Sequence, residues 1–566
     1  TPTPPPEPVV LDINWGTEPP TADPALATDT TSVAVTGQMF MGLTKFDPKT
    51  GEVTPWLAES WEVSDDGTVF TFYMRTDVPW VKYNTATGEV ELVTDDNGNV
   101  HYVNAHDVEY AVKRTLDPAT ASDYAYVLYI IKNAQAFNEG EEGVTADDVG
   151  VKALDDWTVQ FTLETPAAFF PAIAGMWVAS PVPQWVIEAA GDKWTEPGTI
   201  VTNGPYVMTE WVHGSELNMK RNPYWPLWAS NGGPVKGNID EIHGVMITEA
   251  STAFALYENN ELDTTGVPLG EIDRVKSDPV LSKEYVNQPE LCTYYYGFTN
   301  NKPPFDDVRV RKAFIMAVDK QALVDNVLKG GQIPADHFAP PGIFGAPEPG
   351  AFADEMPFDP EKARALLQEY LDEKGMTLDD FNALGITLMH NTSEGHAKIA
   401  AAIQQMWKDN LGVEVKVENQ EWKVYLNTIK KTTPLQDMPH IWRLGWCADY
   451  PDENNWVYEV FNNQAGANRL RRGCLDETCT EVKPLRFDEL TEQAKVEQDP
   501  EKRKELYYEA EHELAVVEAA YLPLYFYVRN TVTKPWLQRD YPPLGAPNYW
   551  DWVIDWEAKK AARGGG

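Results

Sequence analysis

Between residues 289 and 525, short β-patterned segments alternate with amphipathic helical ones, and no other feature restricts the fold as tightly. Alternation of this kind builds α/β layers, because each helix must bury its apolar stripe against a sheet. Residues 292–298 read as a strand with three consecutive tyrosines. Asp307 caps a predicted helix whose apolar face includes Val310, Phe314, Val318, Leu323 and Val327, and Gly330-Gly331 stops it. A second helix is predicted at 360–370. Residues 386–389 read as a strand, Asn391 to His396 lead into a long helix ending near Asn410, and 413–417 alternate cleanly as another strand. Helical periodicity returns from Phe487 to about Glu518, and 521–528 reads as a crossover strand.

The rest of the chain has a different texture. Residues 9–15 read as a strand and 32–43 as a short helix. From 46 to 165, Asp47-Pro-Lys-Thr-Gly51, Ser64-Asp-Asp-Gly67 and Asn84-Thr-Ala-Thr-Gly88 are hairpin turns between alternating strands such as 69–74. One helix starts near Asn104 and carries Val108, Ala111 and Val112 at helical spacing. This block reads as one small α+β domain, and residues 166–288 resume alternating helix and strand.

Charge narrows the function. With 87 acidic and 46 basic side chains the net charge is −41, which repels phosphate backbones and anionic headgroups, so nucleic acid is not an expected partner. The basic runs Lys430-Lys431 and 469–472 are too short to make a patch. No run of 18 apolar residues spans a membrane. The proline-rich opening, Thr1-Pro-Thr-Pro-Pro-Pro-Glu-Pro8, is a stiff spacer of the kind that holds a mature exported protein off a surface. The terminal Gly564-Gly565-Gly566 reads as a tail. Cys292, Cys447, Cys474 and Cys479 form no CxxC pair, which argues against zinc and for two disulfides made in an oxidising compartment. Cys474 and Cys479 can close a short loop, which leaves Cys292 with Cys447. That longer cross-link contributes roughly 5 kcal/mol in the chain-entropy account.

No GxSxG, Walker A, HExxH or dinucleotide fingerprint occurs, so neither an enzyme nor a cofactor is expected, and no metal site. Asp95-Asp-Asn-Gly-Asn99 reads as a plain turn rather than a calcium loop. The densest chemistry lies in Arg443-Leu-Gly-Trp-Cys-Ala-Asp-Tyr450. A carboxylate for an ammonium, a guanidinium for a carboxylate and an indole face suit a zwitterion. The bland alternative is a buried strand end with a satisfied salt bridge.

Asn391-Thr-Ser-Glu-Gly-His396, Asn419-Gln-Glu-Trp-Lys423, Gly445-Trp-Cys-Ala-Asp-Tyr450, Leu291-Cys-Thr-Tyr-Tyr-Tyr296 and Asn300-Asn-Lys-Pro-Pro-Phe305 resemble the oligopeptide-binding proteins of ABC peptide importers, in family 5 of the extracytoplasmic solute-binding proteins. Ile200-Val-Thr-Asn-Gly-Pro-Tyr206, Glu59-Ser-Trp61 and Asp117-Pro-Ala-Thr-Ala-Ser122 extend the resemblance over nearly the whole chain.

The resemblance implies a two-lobed α/β fold of the periplasmic-binding-protein class II type with an extra α+β domain, three domains in all. Lobe one would be 1–45, 166–288 and 526–566, the extra domain 46–165, and the second lobe 289–525, the lobes closing on the ligand. It pairs Cys292 with Cys447, in agreement with the cysteine arithmetic. It implies an extracytoplasmic monomer, lipid-anchored in its precursor, that captures short peptides for the membrane permease subunits of an ABC importer. Asp449 would bind the peptide ammonium. Gly445 and Cys447 would offer main-chain groups, and Trp446 and Trp422 would wall pockets. Arg443 and His396 would meet the peptide carboxylate, with Asn391 in a pocket and Tyr124 reaching in from the extra domain. Thr28 and Thr30 would be first-lobe contacts, Thr28 standing where the family has an acid. Gly297 replaces a second family acid, and Leu328 and Ile429 replace two basic residues. The competing ligand is an oligosaccharide; a secreted hydrolase or chaperone is a more distant alternative.

Overall fold

The computed structural model describes residues 7–464, 467–542 and 544–564. Residues 1–6 of the proline-rich opening and Gly565-Gly566 of the terminal glycines lie outside the described residues. The chain forms two compact units, one running to Thr265 and resuming at Val532, the other Gly266–Thr531.

In the first unit Val10–Asn14 lies parallel to Glu241–Val245, and Glu216–Arg221 and Tyr206–Val212 extend the sheet antiparallel. A second sheet is antiparallel throughout: Ala58–Val63, Val69–Met74, Thr158–Thr162 and Val151–Asp155 in spatial order. Val69–Met74 buries Phe70, Phe72 and Met74 on one face, as its alternation requires. The helix Ala105–Leu116 starts at Asn104, whose side chain accepts the Asp107 N–H while Asp107 returns the bond to the Asn104 N–H. That reciprocal cap satisfies two of the donors that a helix start leaves open. Lys559, fully buried, ties the two ends of the chain together: its ammonium reaches Asp12 at 2.7 Å, Asp263 at 2.6 Å and the Val10 carbonyl at 2.6 Å.

The second unit is built on a mixed sheet in the order Thr264–Gly266, Tyr521–Thr533, Tyr285–Phe298, Ile441–Cys447, Thr387–Asn391 and Lys416–Gln420, with Ile333–Pro334 paired to Tyr521–Thr533. Helices Val308–Met316, Pro360–Lys374 and Glu394–Leu411 bury Phe314, Leu367 and Trp407 in one shared core. The Trp407 indole N–H donates to the Phe314 carbonyl at 2.9 Å, so its polar edge is satisfied in the core.

Three local readings are corrected. The helix after Asp307 is not continuous: Asp319 accepts the Ala322 N–H and starts a new turn, Lys320–Leu323. The strand expected at 413–417 lies at Lys416–Gln420, because the Val415 carbonyl is taken by the Gln404 amide at 2.6 Å and Val413 and Val415 serve the core. The periodicity from 487 to 518 belongs to Arg486–Val496 and Pro500–His512, separated where Asp499 caps and Pro500 opens the second, which runs on as a π-helical turn over Glu513–Val517. In the basic run 469–472, Arg471 and Arg472 are buried, the latter between Asp488 at 3.2 Å and Glu518 at 2.7 Å.

Breaking a buried ion network by removing its cation leaves carboxylates uncompensated. Lys559→Met is therefore expected to cost the first unit about 3–5 kcal/mol in urea unfolding followed by tryptophan fluorescence. A loss below about 1 kcal/mol, the range of an exposed ion pair, would show that this network does not hold the chain ends.

Candidate ligand-binding site

Strand Ile441–Cys447 pairs antiparallel with Tyr285–Phe298, setting Cys447 opposite Cys292, Gly445 opposite Tyr294 and Arg443 opposite Tyr296. Cys292 and Cys447 are disulfide-bonded, with Cα atoms 4.0 Å apart, the close spacing of a pair that exchanges no ladder hydrogen bonds. Cys474 bonds Cys479 in the other bridge. By the two-residue period, Arg443, Gly445 and Cys447 turn their amide groups away from Tyr285–Phe298. The flanking bonds agree: the Ala448 N–H donates to Leu291 and the Thr299 N–H to His440, residues of the other parity. On the far edge, pairing with Thr387–Asn391 covers Ile441 and Trp442 and ends there. The Arg443 carbonyl accepts the Tyr425 hydroxyl. The Gly445 and Cys447 main chain thus faces an edge with no strand beside it among the described residues, the geometry onto which an extended chain can add.

Arg443 is buried and has no carboxylate partner among the described residues. Its guanidinium donates to Asn391 Oδ1 at 3.2 Å and to the Tyr527 hydroxyl at 2.6 Å, and its Cζ lies 4.5 Å from the centre of the Tyr294 ring. Its Nε has no hydrogen-bond partner. Burial works against the charge, but a guanidinium holds its proton throughout the physiological range, so the group stays cationic among the phenols of Tyr527, Tyr294, Tyr525 and Tyr425. Gly445 makes the cage possible, since a Cβ there would stand 2.8 Å from the Tyr527 hydroxyl and 3.3 Å from Arg443 Nη2. His396, in the first turn of Glu394–Leu411, shares a hydrogen bond with the Tyr294 hydroxyl at 3.1 Å. Burial, then the Arg443 charge, pushes its imidazole well below the usual range, and His390 nearby is shifted the same way by the same main causes. His390 spends its Nδ1–H on the Asn391 carbonyl at 2.8 Å, so the donors that suit this pocket to a carboxylate are the Arg443 guanidinium and the His396 ring.

Asp449 follows the strand. Its main-chain N–H donates to Asn455 Oδ1 at 2.9 Å, and its Oδ2 accepts from Asn455 Nδ2 at 3.0 Å. The same amide nitrogen donates to Glu459 at 2.7 Å, and Glu459 also accepts the Tyr450 hydroxyl at 2.6 Å. Burial pushes the Glu459 carboxyl up to about 8, against the pull of those two hydrogen bonds.

Trp446 is half-buried on the opposite strand face from Arg443, and Trp422 is half-buried, stacked on Tyr425 at the start of Trp422–Thr428. Around the Tyr294–Tyr527 cage the structure brings together Arg443, Gly445, Asn391 and His396. Thr28, Thr30 and Tyr124 belong to the first unit: Thr28 is half-buried, Thr30 exposed at the start of Thr30–Met39, and Tyr124 buried against Tyr126 and Trp177. Gly297 cannot carry an acid, because its Cβ would meet the Trp442 indole at 2.3 Å. Leu328 and Ile429 are buried, and the neighbouring Lys329 is engaged with Asp273 at 2.5 Å. Sequence reading missed Tyr527, His390, Asn455 and Glu459. Tyr525 and Tyr527 sit at same-face spacing in the crossover strand, which was the available signal for the cage. Asn455 sits in a run that reads as a mere turn. No group of three or more His, Cys, Asp or Glu placed to hold a metal occurs among the described residues, and none of their helices is long and apolar enough to cross a membrane.

The profile described as "Bacterial extracellular solute-binding proteins, family 5 Middle" matches residues 52–468. The chain is 35% identical to the oligopeptide-binding protein OppA of Bacillus subtilis, over 93% of this chain and 88% of the relative. It is 34% identical to the periplasmic oligopeptide-binding protein OppA of Salmonella typhimurium, with the same shares covered. Among solved structures, the Escherichia coli murein tripeptide binding protein MppA superposes with a TM-score of 0.82 at 29% identity, covering 97% of this chain and 99% of that one. Haemophilus influenzae OppA in complex with RPPGFSPFR gives 0.82 at 28%, with equal coverage.

The protonated Glu459 leaves a signature in stability. Its folded-state pKa, about 8, lies above the ordinary 4.5. The unfolded chain therefore loses this proton first, and the group's contribution to stability, full below about pH 4.5, drains away as pH rises toward 8, at up to about 1.4 kcal/mol per pH unit. Glu459→Gln, which has no proton to lose, is expected to gain on the wild type steadily between pH 5 and 8 in urea unfolding. Parallel pH profiles for the two proteins would refute the assignment.

Proposed function

Because the chain belongs to the bacterial extracellular solute-binding proteins of family 5, we propose that it captures short oligopeptides outside the cytoplasm and delivers them to the membrane subunits of an ABC importer. The observation that carries this reading is the pairing of a carboxylate fixed by Asn455 with a buried guanidinium that lacks a counter-ion, on either side of an unpaired strand edge. A peptide is the common ligand with an ammonium at one end, a carboxylate at the other and hydrogen-bonding main chain between. In this proposal Asp449 takes the ammonium, and Gly445 and Cys447 bond the peptide backbone. Trp446 and Trp422 wall side-chain pockets, and Arg443, His396 and Asn391 meet the carboxylate. Thr28, Thr30 and Tyr124 remain proposed contacts. A neutral sugar would leave the Arg443 charge buried and unanswered, which is costly.

The names of the relatives support the ligand class: those of Bacillus and Salmonella are oligopeptide-binding proteins, and the Haemophilus protein was solved with a nonapeptide. The division into 1–45, 166–288 and 526–566, with 46–165 and 289–525 as the other domains, stands as part of the proposal. So does a lipid anchor on the precursor. No chemistry is performed on the ligand, which should be recovered intact.

Native mass spectrometry of the purified protein, followed by denaturation and sequencing of what it carried, should yield peptides clustered at one length; a bound sugar would overturn the ligand class. Asp449→Ala is expected to weaken tripeptide binding by about 2–5 kcal/mol in calorimetry while the ligand-free protein stays folded. Unchanged affinity would remove Asp449 from the site.

A further inference from the structure

We infer that Asn455 is the positioning residue for ligand capture, a clamp that fixes the Asp449 carboxylate before any ammonium arrives and is itself anchored on Glu459. The inference rests on the reading of Asp449 as the ammonium site and goes one layer behind it.

Asn455 is fully buried, in the short turn Glu453–Asn455. Its amide is used to capacity on the donor side: one N–H goes to Asp449 Oδ2 at 3.0 Å, the other to Glu459 Oε2 at 2.7 Å. Its oxygen accepts the main-chain N–H of Asp449 at 2.9 Å. The assignment of oxygen and nitrogen follows from Asp449, because the flipped amide would set its nitrogen against the Asp449 N–H and its oxygen against the Asp449 carboxylate. Asp449 is thereby held at its backbone and at one carboxylate oxygen at once.

The clamp stands on rigid supports. Asp452 opens the turn by accepting the Asn454 N–H at 3.0 Å, and Arg503 of Pro500–His512 grips Asp452 with two bonds of 2.7 Å. Tyr450 donates to Glu459 at 2.6 Å and accepts from the Asn454 amide at 2.9 Å. Burial raises the Glu459 carboxyl to about 8, which favours its neutral form beside the Asp449 carboxylate. A carboxylate held in one rotamer before binding loses no side-chain freedom when the ammonium docks, so the clamp converts ordering that would oppose binding into affinity.

The test uses tri-alanine and N-acetyl-tri-alanine as probes, with calorimetry on the full chain at pH 7. Asn455→Ala is expected to weaken the free-amine probe about tenfold, the loss of one charge-assisted hydrogen bond. It should weaken the acetylated probe by less than about twofold, within the scatter of additive effects. In the Asp449→Asn background the same substitution should change neither probe by more than about twofold. Equal weakening of both probes, or an undiminished effect in that background, overturns the clamp while leaving Asp449 as the ammonium site. Equal binding of the free-amine probe by Asp449→Asn and the wild type, or no binding of it by the wild type, overturns the underlying reading and the clamp with it. Should Asn455→Ala fail to fold, Glu459→Met removes the anchor and keeps the amide. It is expected to cost the free-amine probe about threefold and the acetylated probe nothing measurable, and no loss on the free-amine probe overturns the clamp.

Discussion

The register between Tyr285–Phe298 and Ile441–Cys447 is the constraint on which the rest of the second unit depends. Side chains alternate across a strand with period two, so a slip of one residue would send Arg443, Gly445 and Cys447 to the other face of the sheet. The Cys292–Cys447 bond closes the pair at one end. At the other, Gly297 admits the Trp442 indole that lies across from it. Between these two pins the tyrosine that cages the guanidinium and the glycine that leaves it room are set directly opposite one another. Covalent chemistry and packing thus specify the same alignment, and the site inherits its geometry from it.

Electrostatics in this unit follow from burial more than from the large net charge. Arg443 keeps its charge among phenols without a counter-ion, whereas Glu459 is driven to hold its proton a short distance away. Glu453 and Glu511, both buried, are also pushed upward, by burial first and then by one another's charge for Glu453. Glu511 accepts the N–H groups of Phe338 and Ala339, which identifies it as the ionised member and Glu453 as the one that retains the proton. Deep carboxyl groups in this protein are thus not interchangeable anions. Each takes its protonation state from the balance between burial and what donates to it.

Much of the frame was legible in the sequence because it rests on local rules. Asp307, Asn104 and the glycines after helices announce element ends, and alternation announces Val69–Met74 and Ile441–Cys447. The interrupted helix after Met316 was not legible, since Val318 keeps the apolar period through the break and Asp319 looks like any polar surface residue until it caps. In the site, the octet from Arg443 to Tyr450 announced its chemistry. The supporting layer did not, because Tyr527, Asn455 and Glu459 lie 84, 6 and 10 residues from their partners Arg443 and Asp449 along the chain and act through proximity alone. Likewise Gly297, where the family resemblance implies an acid, is explained by an indole that the sequence places 145 residues away.

The unpaired edge at Gly445 and Cys447 has a meaning beyond ligand recognition. An open strand edge is a template for any extended chain, including another copy of the same protein or a partly unfolded neighbour. Here the open register is half-buried and only a few residues long, with a glycine and the bulky Trp446 within it, so it suits a short guest and gives a long foreign strand little to zip against. The same brevity leaves a second copy of the chain little template to extend.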